Sequence, residues 1–135
     1  MILRAKAAVE KTPTGDVPFP MQGDGSETRA FIYIDDFTDG LLRVIQHGKH
    51  NEIYHIGTDE EVPVRAVAEQ VVALFGRKAR FEQTPLQAGS TMRRCPNITK
   101  LRALGFAPKV SFTEGLKRTH QWYTQNAHLF AAKPK

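Results

Sequence analysis

The chain alternates short runs of β-branched and aromatic residues with segments whose apolar residues recur at helical spacing. Residues 29–34 read RAFIYI, which is typical of a strand, and from Asp35 an apolar-periodic segment runs to a stop at Gly48. A strand that leads directly into an amphipathic helix is the repeating unit of α/β folds, in which some strands run parallel. The sequence therefore predicts an α/β fold with a small mixed, partly parallel sheet and flanking helices.

The same signals place the remaining elements. Pro and Gly break up residues 11–25, so only a short extended piece fits there. Gly76 is well placed to cap a helix C-terminus. The further predicted elements are strands at residues 17–22, 52–56 and 80–83, a turn at residues 58–63, and helices at residues 64–75, 98–104 and 113–126. We expect one domain over residues 1–128, followed by a flexible tail at residues 129–135.

Length and composition exclude several classes of protein. With 135 residues, 41% of them apolar, the chain suits a single globular domain. A single cysteine, Cys95, allows neither an internal disulfide nor a thiolate metal cage. Because no apolar run is long enough for a membrane span or a signal peptide, the expected location is the cytoplasm.

Charge is divided unevenly along the chain. Residues 1–76 carry 7 Lys and Arg against 12 Asp and Glu, whereas residues 77–135 carry 12 against 2, which gives net charges of −5 and +10. A basic segment of this kind suits an anionic partner, either a polynucleotide or a small phosphorylated ligand. The basic residues are not interleaved with aromatic ones and match no nucleic-acid motif, so nucleic-acid binding is the weaker hypothesis.

Several chemical motifs are absent from the sequence. The pair Gly23 and Gly25 is followed by Thr28 where a GxGxxG motif needs glycine, and no phosphate-binding P-loop or Tyr-xxx-Lys pair occurs. His47 and His50 lie three residues apart, but beside Gly48 they fit a solvated helix end better than a metal site. We therefore predict no catalytic pair, no cofactor site and no metal site in this chain.

Other conspicuous side chains are interpreted as structural. Asp35 and Asp36, at a strand-to-helix junction, fit the capping of helix amides better than a catalytic pair. Trp122 and Tyr123 fit the core better than a base-stacking site. Cys95 has no base evident in the sequence, although Arg93 and Arg94 could lower the pKa of its thiol.

Three segments carry a resemblance to a known family: GDGSETRAFIYIDD, EIYHIG and CPNITKLRALGFAPKVSFTEGLKRTHQWY. In order and spacing they resemble the C-terminal, substrate-binding portion of the extended short-chain dehydrogenase/reductase superfamily, the NAD-dependent sugar-nucleotide epimerases and dehydratases. Within that family, the Arg-Ala-Phe form, the Asp-Asp after the strand and the Arg-x-Pro-Asn-Ile-Thr-Lys form are most similar to UDP-glucuronate decarboxylase and related nucleotide-sugar dehydratases.

The resemblance implies a function for part of an enzyme. Family members hold NAD and a Tyr-xxx-Lys pair in an N-terminal half, and the C-terminal half grips the nucleotide diphosphate. We therefore expect a truncated family member that binds a nucleotide sugar, most closely a UDP-sugar, and is inactive alone because NAD belongs to the complete enzyme. The alternative is an interaction module that docks on a separate Rossmann-type chain or associates with itself.

The resemblance also assigns binding residues. Arg29 falls on the family's pyrophosphate-binding arginine, and a guanidinium can donate two parallel hydrogen bonds to phosphate oxygens. The alternative is a loop arginine paired with Asp24 or Glu27. A second family arginine falls on Arg94, or on Arg93 if the register slips by one residue.

Asn97 stands where relatives often have Asp, which puts any ion pair at that position in doubt. The segment PFPMQ falls on the one that meets the nucleobase, so Pro20 and Gln22 become candidate binding residues. An ordinary edge strand is the alternative interpretation of that segment.

Overall fold

A computed structural model describes residues 1–130 of the chain, and its elements alternate as an α/β fold requires. The helices are α1 (Ile2–Lys11), α2 (Ile34–His47), α3 (Val64–Ala73), α4 (Thr99–Arg102), α5 (Phe112–Gln125) and a final 3₁₀ turn (Ala127–Phe130). The strands are β1 (Val17–Gln22), β2 (Thr28–Ala30), β3 (Glu61–Pro63), β4 (Ala79–Thr84) and β5 (Arg93–Arg94). Of the predicted tail, residues 131–135 lie outside the described part.

The strands form two small sheets rather than one. β1 runs parallel to β4, in register from Val17 opposite Ala79 to Gln22 opposite Thr84. β2 is the middle strand of the second sheet, antiparallel to β3 and parallel to β5. The predicted mixed, partly parallel character is confirmed. No helix within residues 1–130 has both the length and the apolar character needed to cross a membrane.

The main core lies where β1 meets helices α1 and α3. Alternate residues of β1 point inward, and Val17 and Phe19 are completely buried. One face of α3 covers them with Val71 and Val72, while α1 contributes Ala5. A second, smaller cluster forms around Leu101 of α4. The inward alternation of β1 leaves its other face, which carries Pro20 and Gln22, for the surface.

Two strand predictions differ from the structure. The strand predicted at residues 29–34 ends at Ala30, because α2 already begins at Ile34 with Tyr33 as its N-cap. Residues 52–56 form no strand, and Ile53 is 76% exposed. Within residues 1–130, this segment has no neighbouring strand to supply the hydrogen bonds its composition favours. The predicted turn at residues 58–63 instead contains β3.

Asp36 ties α2 to a distant loop. Its side chain is buried, and Oδ2 accepts hydrogen bonds from the backbone amides of Lys109 (3.0 Å) and Val110 (2.9 Å). The N-cap of α2 is Tyr33, with no capping bond from a side chain, so the predicted capping role is wrong for Asp36. The carboxylate satisfies amides 73 and 74 residues away along the chain.

Trp122 is not a core residue, in contrast to the prediction for it. α5 turns Tyr123 toward the main core but leaves Trp122 48% exposed, since the next position on a helix points about 100° away. The indole makes edge contacts with the rings of Tyr123 and Phe130, with centroids 5.2 and 5.9 Å apart. The aromatic residues at the end of α5 therefore form a partly exposed group.

Gly25 is a point where the backbone requires glycine. Its φ is +75°, and a Cβ there would lie 2.9 Å from both Cβ of Arg65 and Sδ of Met21. Gly15 has nearly the same φ, +74°, with open space around it. We expect Gly25→Ala to lower the free energy of unfolding by about 1 kcal/mol more than Gly15→Ala does, because only Gly25→Ala adds overpacking. Urea unfolding of the two variants measures that difference, and equal losses would contradict the packing argument.

Candidate functional site

β1 borders a cavity of about 260 Å³ that also reaches β2 and the first turn of α1. Three of the four predicted binding residues line it: Pro20, Gln22 and Arg29. The buried Phe19 and Met21, which alternate with Pro20 and Gln22 along β1, also line the cavity. The fourth residue, Arg94, is not part of the cavity wall, but it lies beside Arg29 in the second sheet.

Arg29 presents an uncompensated positive charge at this wall. Its Nη1 donates to the backbone carbonyls of Thr28 (2.7 Å) and Met92 (3.4 Å), and within residues 1–130 it forms no ion pair. Asp24, one of the two proposed partners, instead interacts with Ser26, whose side chain and backbone amide lower the pKa of the Asp24 carboxyl. The guanidinium is therefore held by carbonyl groups and keeps its charge for a ligand.

Strand register separates the two candidate arginines in β5. Arg94 is the partner of Arg29 and Arg93 is the partner of Thr28, so Arg94 and Arg29 share one face of the sheet. On the opposite face, Arg93 donates to Glu61 from Nη2 (2.6 Å) and from Nε to both carboxylate oxygens (3.0 and 3.1 Å), and this guanidinium lowers the pKa of the Glu61 carboxyl. Of the two, Arg94 is the one beside Arg29 whose charge is not already paired with a carboxylate in the described residues.

Asn97, where relatives often have Asp, has a local role. Its Oδ1 accepts a hydrogen bond from the amide of Thr99, at 2.9 Å, at the start of α4. The Arg94 guanidinium contacts Thr91 Oγ1 at 3.5 Å. Replacing an aspartate by this asparagine therefore removes a charge while keeping a turn at the helix start.

Two further residues at the cavity carry charge and were not predicted as binding residues. Arg4, on α1, donates from Nη2 to the carbonyl of Pro20 (3.3 Å) and lies over the Phe19 ring, 4.8 Å from its centroid. Glu27 is 6% exposed, and its Oε2 has no hydrogen-bond partner. No sequence motif identifies Arg4 as a binding residue. Glu27 could have been identified, because it lies two residues before Arg29 and alternation along an extended chain puts both side chains on the same face.

Cys95 is not an activated thiol. Burial raises the pKa of its thiol, and the negative charge of Glu61 raises it further. Arg93 acts in the opposite direction, but it is already paired with Glu61. Arg93 thus lowers this pKa as expected, but burial and then Glu61 of β3, neither of which the prediction included, outweigh it and raise the pKa overall.

The acidic and basic parts of the chain neutralise one another in the fold. Four ion pairs join a residue beyond Gly76 to one before it: Arg93–Glu61, Lys100–Glu52, Arg102–Asp59 and Lys109–Asp39. Four of the basic side chains beyond Gly76 are thus paired with carboxylates of the same chain. Within residues 1–130, no group of three or more His, Cys, Asp or Glu side chains could hold a metal ion.

Comparison with known proteins relates this fold to a family of enzymes. Residues 1–57 match the NAD dependent epimerase/dehydratase family. The human dTDP-D-glucose 4,6-dehydratase is 32% identical over 117 residues, which cover 80% of this chain and 33% of that enzyme. The chain therefore spans about a third of that relative's length.

Solved structures extend the similarity to nearly the whole chain. The dTDP-glucose 4,6-dehydratase of Streptomyces venezuelae superposes with a TM-score of 0.80 at 29% identity, over 94% of this chain and 38% of that one. UDP-glucose 4-epimerase of Thermotoga maritima gives 0.79 at 25% identity, over 93% and 39%. Residues 1–57 are therefore similar to the NAD dependent epimerase/dehydratase family, and the described chain has a fold similar to part of these two enzymes.

Proposed function

We propose that this chain supplies the substrate-binding part of an NAD-dependent sugar-nucleotide epimerase or dehydratase. The observation that carries the proposal is the placement of Arg29 and Arg94 as strand partners on one face, next to a cavity that Pro20 and Gln22 line. In this proposal, the two guanidinium groups bind the diphosphate of a nucleotide sugar. Pro20 and Gln22 lie beside the base.

The charge balance of the site supports a diphosphate. A diphosphate needs several hydrogen-bond donors and more than one positive charge, and charge-assisted bonds from arginine provide both. Arg29 is anchored by two backbone carbonyls, so little side-chain freedom remains to be lost on binding. Arg4 adds a third guanidinium at the same cavity.

The described residues do not fit the cofactor of the family. A dinucleotide needs a glycine-rich turn that leads from a strand into a helix N-terminus, where backbone amides meet the pyrophosphate. Here the turn with Gly23 and Gly25 leads into β2. We therefore assign NAD and the hydride-transfer step to a part of the enzyme outside these residues, and we expect this chain alone to be inactive.

Within the family, we favour a UDP-sugar as the ligand and decarboxylation of UDP-glucuronate as the reaction of the complete enzyme. The sequence forms Arg29-Ala30-Phe31 and Arg94-x-Pro-Asn-Ile-Thr-Lys100 support this choice. Relatives named for dTDP-glucose and UDP-glucose are similar to the chain.

Calorimetric titration of the purified chain tests the proposal. UDP, dTDP, GDP and NAD are compared at low salt and again at about 150 mM, where charges farther apart than about 8 Å are screened. We expect one nucleoside diphosphate, UDP, to bind with an affinity that survives the added salt, whereas NAD does not bind. If no diphosphate binds at either salt concentration, the proposal is wrong for this chain.

A second candidate function is docking on a Rossmann-type partner. The outward side of α2 carries exposed apolar residues, of which Ile34 is 62% and Ile45 70% exposed, and Ile53 in the unpaired segment 52–56 is 76% exposed. Exposed apolar surface beside a strand-like segment without a neighbour suits a sheet edge. The solved relatives are more than twice as long as this chain, which leaves an NAD-binding part to cover the surface.

Sedimentation at increasing concentration tests this second candidate. An uncovered apolar face should make the isolated chain self-associate, and Ile45→Glu should reduce the association. Gln46→Glu, at the neighbouring exposed position of α2, is the matched control because it adds the same charge without removing an apolar side chain. A monomer at high concentration would count against docking through this face.

A further inference from the structure

We propose that the buried carboxylate of Glu27 binds the ribose hydroxyls of the nucleotide and so makes the cavity select a ribonucleoside over a 2′-deoxyribonucleoside diphosphate. The inference rests on the proposed function, because it concerns the same cavity. It adds a specificity that neither the charge of the arginines nor the family comparison supplies.

The Glu27 side chain is buried at the cavity and has an unpaired carboxylate oxygen. The residue is 6% exposed, it lines the cavity, and its Oε2 has no hydrogen-bond partner. A buried carboxylate oxygen without a donor is costly, and such groups in folded proteins are normally paired. Within residues 1–130, Glu27 forms no ion pair with Arg4 or Arg29, although both line the same cavity. The unpaired oxygen therefore points to a donor that a ligand supplies.

The negative charge of the Glu27 carboxylate determines which part of a ligand can donate to it. A carboxylate accepts hydrogen bonds and repels phosphate oxygens, so Glu27 cannot be part of the diphosphate site itself. It must meet a neutral part of the ligand that carries N–H or O–H groups. In a nucleoside diphosphate, these are the hydroxyls of the ribose and the polar edge of the base.

Position favours the ribose. The Val64 amide donates to the carbonyl of Glu27, at 2.8 Å, which continues the β2–β3 ladder one residue beyond the strand. Glu27 and Arg29 thus lie two residues apart on one face, with backbones about 6.6 Å apart. The ribose is bonded directly to the α-phosphate, whereas the polar edge of the base lies beyond the ribose. A carboxylate next to the phosphate-binding arginine therefore reaches the sugar hydroxyls first.

The carboxylate geometry suits a vicinal diol. Rotation about the terminal side-chain bond of glutamate exchanges its two oxygens with little cost, so either can turn toward the cavity. The oxygen that faces the cavity has two lone pairs and can accept from the 2′- and 3′-hydroxyls together. Removal of the 2′-hydroxyl then removes one of these charge-assisted hydrogen bonds, which costs binding free energy.

The test compares UDP with 2′-deoxy-UDP by calorimetry on the full chain and on variants. The wild-type chain is expected to bind UDP about tenfold more tightly, as one hydrogen bond to a charged group implies. Glu27→Gln keeps the shape and one neutral acceptor, so the preference should fall to a few-fold. Glu27→Met removes the acceptor and should abolish it. Glu61→Gln, an equal charge change on the opposite face of the sheet, should keep the tenfold preference.

The outcomes separate this inference from the proposed function. If the wild-type chain binds UDP and 2′-deoxy-UDP equally well, the proposed function survives and the role of Glu27 is wrong. A tenfold preference that persists in Glu27→Met would place the 2′-hydroxyl against another residue and overturn the inference as well. If neither nucleotide binds to the wild-type chain, the cavity is not a nucleotide site and both proposals fail.

Discussion

Arg29→Ala is expected to weaken the binding of UDP by about tenfold to a hundredfold. Each hydrogen bond between a guanidinium and a phosphate is worth roughly 1.5 to 3 kcal/mol, and the alanine variant loses at least one of them. Arg29 forms no ion pair within the described residues, so its removal leaves no carboxylate of the protein without a partner. The loss should therefore appear in binding far more than in stability.

Arg93→Ala is the matched control for this experiment. Arg93 is one position away from Arg94 in β5, but its guanidinium is on the opposite face and is paired with Glu61. Calorimetry should give the wild-type affinity for Arg93→Ala and a reduced one for Arg94→Ala. An unchanged affinity in Arg29→Ala would remove Arg29 from the site. Equal losses in Arg93→Ala and Arg94→Ala would mean that net charge, rather than position, determines binding.

Asp36→Ala is expected to lower the free energy of unfolding by about 3 to 6 kcal/mol. The Asp36 carboxylate accepts hydrogen bonds from two backbone amides, and a hydrogen bond to a charged group contributes roughly 1.5 to 3 kcal/mol. Alanine leaves the amides of Lys109 and Val110 without this acceptor at a partly buried position. Because domains of this kind are stable by only about 5 to 15 kcal/mol, the expected loss is large.

Urea unfolding of Asp36→Ala beside Asp35→Ala measures the effect. Asp35 is exposed in the same helical turn, so its removal loses only an interaction with the helix dipole, worth about 0.3 to 1 kcal/mol. Asp36→Asn keeps one acceptor oxygen and should fall between the two. If Asp36→Ala is as stable as Asp35→Ala, the contact with residues 109–110 does not stabilise the fold.

Local signals in the sequence predicted α2 to α5 but not α1 (Ile2–Lys11), and they were insufficient for strand pairing. α2 ends before Gly48, and Gly76 follows α3 with a positive φ, as the glycine positions predict. A strand needs a neighbour as well as a composition. Residues 52–56 have the composition of a strand but no neighbour within the described residues, and they form none. β3 has a neighbour, β2, at a place where the composition indicated a turn.

In the candidate site, too, some residues could be predicted from the sequence, whereas others depend on strand pairing or helix packing. The resemblance to a family pointed to Pro20, Gln22 and Arg29, which lie around one cavity, but it left Arg93 and Arg94 as alternatives. Only the β2–β5 register, which the sequence does not contain, distinguishes those two arginines. Arg4 could not be found from the sequence, because its place at the cavity depends on how α1 packs against β1.

The parallel pairing of β1 with β4 also determines when the site can exist during synthesis of the protein. Val17 pairs with Ala79, so on a nascent chain the backbone hydrogen-bonding groups of β1 lack their partner strand until β4 has emerged from the ribosome. Contacts between such distant positions form late, and the unpaired strand needs protection in the meantime. The wall that carries Pro20 and Gln22 is thus among the first parts of the described chain to be made and among the last to be fixed in place.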